Sequence, residues 1–178
     1  MWGLFRCEAI LKAFDWNSVT VDAALPLADL LRSIEAQITS VVVEVAVVLD
    51  CDGKVLVKQA GSMDRIGFTV GQEARMKNAY FTHNHPSGAF FSVRDILFAH
   101  DNDLAEMRVV AGAYVHRLIR PVSGWNAVRA HQAARLERQR AERQLQKDSN
   151  LARFLRRMQA APAFLIVALN LPTQTETR

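Results

Sequence analysis

Residues 41–60 read VVVEVAVVLDCDGKVLVKQA, and this stretch decides the fold class. The first nine positions are dense in β-branched residues, which favour extended backbone. Asp50-Cys51-Asp52-Gly53 supplies turn chemistry, and KVLVKQA resumes an extended pattern. The stretch predicts a β-hairpin. Glu44 stands in its first strand as an acid among apolar neighbours, where burying a carboxylate is costly unless it is paired or functional.

Working outward, Leu30, Leu31, Ile34 and Ile38 recur at helical spacing and predict an amphipathic helix over 28–38. After the hairpin, Met63 to Thr69 reads as a short strand, Gln72 to Lys77 as a helix, and Ala79 to Thr82 as a strand ending just before His83. Ser92-Val93-Arg94-Asp95 has the spacing of a capping box, with Ile96, Leu97, Ala99 and Leu104 continuing at helical intervals. Arg108 to Arg120 reads as one or two strands around Gly112, and Pro121 and Gly124 punctuate their end. These elements predict an α/β domain, a mixed β-sheet flanked by helices, over 1–125.

From Asn126 the composition changes. Residues 126–158 hold nine Lys/Arg against three Asp/Glu, a local +6 that leaves −2 for the rest of a chain of net charge +4. Ala, Arg, Gln and Glu dominate and favour helix, with a break at 147–150, so 126–178 is expected to be a basic helical extension and tail. Leu151, Phe154, Leu155 and Met158 form an apolar stripe that must pack on something.

The chain has 178 residues, 50% hydrophobic and 22% charged, which suits one domain with a sizeable core plus an extension. Arg6, Glu8 and Lys12 interrupt the apolar start, so no secretion signal develops. The apolar segment 160–171 is interrupted by Pro162 and is shorter than the roughly 20 residues a membrane span needs. Cys7 and Cys51 lack a CxxC partner, which argues against a disulfide framework or a thiolate zinc site. A cytoplasmic protein without a membrane segment is the expectation.

The chemistry lies in Thr82-His83-Asn84-His85-Pro86-Ser87-Gly88 and in Ser92-Val93-Arg94-Asp95. Side chains at i and i+2 of an extended segment point the same way, so His83 and His85 can converge on one ion while Asn84 points elsewhere. Pro86 and Gly88 can turn the chain, and the next helix can return Asp95 to the strand end. Two imidazoles and a carboxylate suit Zn2+, and three protein ligands with an open fourth position are typical of a catalytic zinc. Glu44 is the preferred general base, with Glu35 and Glu73 as competing carboxylates. His100, His116 and His131 have no comparable partners and read as structural.

The order His-x-His-Pro, short loop, Ser-x-x-Asp opening a helix resembles the signature of the JAMM (JAB/MPN-plus) zinc metalloproteases, and HNHPSG resembles the bacterial RadC-type branch. The likeness spans roughly residues 40–121. The loop between His85 and Asp95 is one residue shorter than is usual in the family, and the difference falls within 88–91 because Ser92-x-x-Asp95 is intact. The resemblance implies a cytidine-deaminase-like JAB/MPN fold, zinc on His83, His85 and Asp95, Glu44 as acid and base, and Ser92 stabilising the tetrahedral intermediate. Members of the family cleave peptide or isopeptide bonds, often next to ubiquitin-like modifiers, so the expected partner is a protein or peptide substrate. A zinc deaminase is disfavoured because its H-x-E and P-C-x-x-C ligands are missing. The alternative of a different class is a RadC-like DNA-associated or assembly module without peptidase activity, with the basic arm contacting nucleic acid.

Overall fold

The computed structural model describes residues 14–148 and 150–178; Cys7 and the rest of the apolar start lie outside the described residues. A six-stranded mixed sheet with helices on both faces forms the core. The chain enters through α1 (Leu27–Ile38) and then makes the hairpin β1 (Val45–Leu49) and β2 (Val55–Ala60). The one-turn helix α2 (Val70–Glu73), β3 (Tyr80–Asn84) and α3 (Val93–Asp101) follow. Next come β4 (Glu106–Ala111), β5 (Tyr114–Ile119), α4 (Ala127–Asp148), α5 (Leu151–Leu169) and β6 (Thr173–Thr177). The strand order is β2-β1-β3-β4-β5-β6, antiparallel throughout except for the parallel pair β3–β4. That parallel pair needs a crossover, and α3 supplies it.

Strand alternation sorts the side chains onto the two faces. Val45, Val47, Leu49, Val110 and Val115 pack with Leu30, Leu31, Ile34 and Ile38 of α1. Ala46, Val48, Phe81, Met107, Val109 and Leu118 pack with Ile96 and Ala99 of α3. Leu165 and Leu171 join this second cluster, so the segment beyond residue 125 contributes to the same core. The tail is not helical. Thr173–Thr177 pairs with β5 as an edge strand, and its polar composition suits an edge that buries little.

Several local expectations are corrected. Residues 63–69 form no strand: Ser62 N–H donates to Arg65 O at 2.7 Å and folds the chain into a tight loop. The helix expected over 72–77 is the earlier and shorter α2, started by a capping box between Thr69 and Gln72. β3 does not end before His83 but runs through it to Asn84. Pro162 does not interrupt α5, where it is buried beside Ala161; packing offsets the backbone hydrogen bond that proline removes. Of the apolar stripe, Phe154 and Met158 are half-buried, whereas Leu151 and Leu155 stay exposed. Among the described residues no helix is long and apolar enough to cross a membrane.

Candidate metal centre

β3 is one of the two central strands of the sheet, between β1 and β4, and its C-terminal end carries the histidines. His83 stands between Ala46 of β1 and Val109 of β4. His85 prolongs the β3–β4 ladder by donating its backbone N–H to Val110 O at 2.9 Å. Both rings are buried and face the α3 side, with Nε2 of one 3.1 Å from Nε2 of the other. His85 Nδ1 lies 2.9 Å from Ala89 O. Donation by the Nδ1 proton to that carbonyl leaves the Nε2 lone pair free as a ligand. His83 lies edge-on to Phe81, with ring centroids 5.2 Å apart.

Asp95 arrives from the first turn of α3. Its carboxylate accepts from Ser92 N–H at 2.6 Å, and Ser92 Oγ accepts from Asp95 N–H at 3.1 Å, which completes the capping box. The same carboxylate turns Oδ1 to His83 Nε2 and Oδ2 to His85 Nε2, each at 3.5 Å. Capping and facing the histidines therefore coexist in one side chain. The short loop accommodates this return by a turn in which Gly88 N–H donates to His85 O at 2.9 Å and Gly88 takes φ +70°, a conformation that glycine adopts without steric cost. Burial pushes the Asp95 carboxyl up, but the His83 hydrogen bond, the His83 and His85 charges and the Ser92 N–H outweigh it and hold the pKa at about 2. His83, His85 and Asp95 form a group that could hold a metal ion.

Glu44 sits one residue before β1, with Oε1 3.8 Å from His85 Nε2. Burial, opposed by the His85 and Arg94 charges and reinforced by those of Asp95 and Asp64, raises its pKa to about 7. The competing carboxylates are elsewhere. Glu35 lies on the α1 face, buried and paired through Oε1 and Oε2 with the Arg108 guanidinium, and accepting from Thr82 Oγ1 at 3.2 Å. Arg108 also donates to Glu106 at 2.8 Å, which Arg117 holds at 2.7 and 2.9 Å. Glu73, on α2, does not line the cavity at the histidines, whereas Glu44, Ser92 and Asp95 do.

Comparison of the chain with protein-family models, curated proteins and solved structures gives no match.

Asn84 is the residue that sequence reasoning undervalued. Pointing away from the histidines, it accepts from Val45 N–H at 2.8 Å and donates to Val41 O at 2.8 Å and Val43 O at 3.1 Å. These bonds bracket Glu44. Past His83 the backbone of β3 bonds toward β4, so the segment before β1 has lost its strand partner and the Asn84 side chain replaces it. The available signal was a residue with donor and acceptor on one short stem, placed between two candidate ligands. The remaining histidines serve structural contacts: His131 pairs with Asp101 at 2.9 Å, His116 Nδ1 lies 3.0 Å from Thr175 Oγ1, and His100 is buried against Trp125. Cys51 is exposed.

Proposed function

We propose that this chain is a zinc metallopeptidase of the JAMM type, hydrolysing a peptide or isopeptide bond. The observation that carries the reading is the convergence of His83 Nε2, His85 Nε2 and the Asp95 carboxylate in a cavity that Glu44 and Ser92 also line. The donor set fits zinc: ligands about 2.0–2.1 Å from the ion at tetrahedral corners stand roughly 3.3 Å apart. The 3.1 Å between the two Nε2 atoms is close to that value, and one donor atom from each of His83, His85 and Asp95 lies within 4.8 Å of the other two. The mixed sheet with helices on both faces supports the JAB/MPN likeness, itself related to the cytidine-deaminase fold. Zinc held there supplies Lewis acidity, which polarises a carbonyl and lowers the pKa of water.

The chain's own residues do the rest. Glu44 Oε1 takes the proton of the attacking water and delivers it to the leaving amine, a shuttle that needs a carboxylate beside the ligands but outside their set. Ser92 Oγ accepts the capping bond from Asp95 N–H and keeps its own proton to donate to the oxygen of the tetrahedral intermediate. Asp95 sets its carboxylate against both imidazoles, and the Ala89 carbonyl favours the His85 tautomer protonated on Nδ1. The test is metal analysis coupled to a peptide and isopeptide cleavage screen that includes ubiquitin-like conjugates. About one zinc per chain is expected, lost in His83→Ala, His85→Ala and Asp95→Ala but retained in His116→Ala and His131→Ala. Full zinc retention in both His83→Ala and His85→Ala refutes the site.

A second reading, a DNA-associated or assembly module, draws on the helical pair α4–α5. Arg135, Arg143, Lys147 and Arg156 are exposed there within the segment of local +6 charge. Binding through such a surface weakens steeply with salt as counterions return to the phosphates. Because α5 and β6 complete the core and sheet, charge reversal at Arg143 and Arg156 is the appropriate probe rather than deletion of 126–178. An unchanged DNA affinity and salt slope removes this surface as the contact.

A further inference from the structure

The cavity that holds the candidate ligands, about 260 Å³, has an apolar recess among its lining: Ile66 and Phe68 form one wall, and Phe81, Phe98 and Met107 belong to the same hydrophobic cluster. The three phenyl rings are mutually packed, with centroids 5.3–5.7 Å apart, and Phe81 touches His83. Charge is confined to the rim, at Asp64, Arg65 and Arg94, and to the ligand side.

The wall is built rather than incidental. Gly61 N–H donates to Glu44 O and Glu44 N–H to Ser62 O, both at 2.8 Å, so the loop hangs on the same backbone pair that carries Glu44. Ser62 then closes the turn onto Arg65 O at 2.7 Å, and its Oγ donates to Asp64 at 2.9 Å. The loop folds back so closely that a Cβ on residue 61 would lie 1.9 Å from Arg65 O, which only glycine permits. Ile66 and Phe68 follow this turn, and Phe68 packs against Phe98 with ring centroids 5.3 Å apart.

We infer that the site acts on a bond flanked by a large apolar side chain, aromatic or leucine-like, which the recess of Ile66, Phe68, Phe81, Phe98 and Met107 receives. This rests on the metallopeptidase reading and narrows it. Phe81 adjoins His83, with ring centroids 5.2 Å apart, so the side chain next to a carbonyl presented to His83, His85 and Asp95 is within reach of the Phe81 ring. A glycine there leaves apolar walls facing water, and a charged side chain meets no partner beyond the rim. Substrates ending in glycine next to the scissile bond, as in a diglycine tail, are therefore disfavoured.

The experiment uses the zinc-reconstituted full chain and two probes with the same chelating group, glycine hydroxamate and L-phenylalanine hydroxamate, titrated by calorimetry. The phenylalanine compound is expected to bind at least about tenfold more tightly, since a single methylene in an apolar pocket already gives about that ratio. Ile66→Trp fills the recess and should bring the ratio near one. Equal affinities in the parent chain overturn the recess while leaving the metal centre standing. Failure of both probes to bind the zinc-loaded chain overturns the metallopeptidase reading and this inference with it. Should Ile66→Trp fail to fold, the ratio in the parent chain decides alone.

Discussion

Asn84→Ala isolates the contribution of the clasp that holds the Glu44 segment. The substitution removes the partner of Val45 N–H, Val41 O and Val43 O. Val41 is half-buried and can be reached by water, but Val45 is 0% exposed and Val43 2%, so two backbone groups are left without a partner in the interior. An unsatisfied buried group costs about 1–3 kcal/mol, which puts the expected loss for the two at about 2–6 kcal/mol. That is a large share of a domain stability of about 5–15 kcal/mol. Equilibrium unfolding in urea measures it: with a slope of about 2 kcal/mol/M, the midpoint should fall by about 1–3 M at unchanged slope. Asn84→Asp should be no better, because it keeps an acceptor for Val45 N–H but sets a carboxylate against two carbonyl oxygens. Zinc content of the folded variant should persist, since His83 and His85 are held by their ladders to β1 and β4. A loss below about 1 kcal/mol would refute the clasp, because it would mean that water or a backbone shift replaces the side chain at little cost.

Glu44→Gln should keep zinc and melting temperature but lower turnover about 10²–10⁴-fold, the usual contribution of a general base; turnover near the parental value would make Glu44 a structural residue. Glu35→Ala removes one of the two buried carboxylates that hold the Arg108 guanidinium and should cost up to about 3–5 kcal/mol in a denaturation experiment, with zinc content unaffected. A neutral result there would show that Glu106 and Glu176 satisfy the Arg108 charge without Glu35. Burial lowers the His100 pKa below 6.5 against the pull of the Asn126 backbone and the Asp101 carboxylate. The folded state thus binds fewer protons at this site than the unfolded state; the stability present above pH 6.5 should decline as pH falls below it, and His100→Phe should flatten that part of the curve. Identical pH slopes for parent and variant between about pH 6.5 and 5 would exclude His100 as the source.

The hairpin at 41–60, the helix beginning after Ser92 and the paired donors His83 and His85 were legible in the chain because each depends on residues a few positions apart. β-branched runs prefer extended backbone, Ser92 and Asp95 cap each other across a single turn, and side chains two apart on a strand share a face. The choice among Glu44, Glu35 and Glu73 was not local. Antiparallel pairing of β1 with β3 sets Glu44 beside His85, while α1 carries Glu35 to the opposite face of the sheet, where Arg108 from β4 neutralises it. The extended pattern at 63–69 was overridden by a tight loop, because Gly61 allows the backbone to fold onto itself and the Glu44 backbone fastens it. The polar segment Thr173–Thr177 carries no hydrophobic alternation and became a strand only because β5 presented an unpaired edge. Composition and spacing thus determined the hairpin, the capped helix and the candidate ligands, whereas strand order determined which acid meets the histidines, since facing across a sheet is a property of pairing partners far apart in the chain.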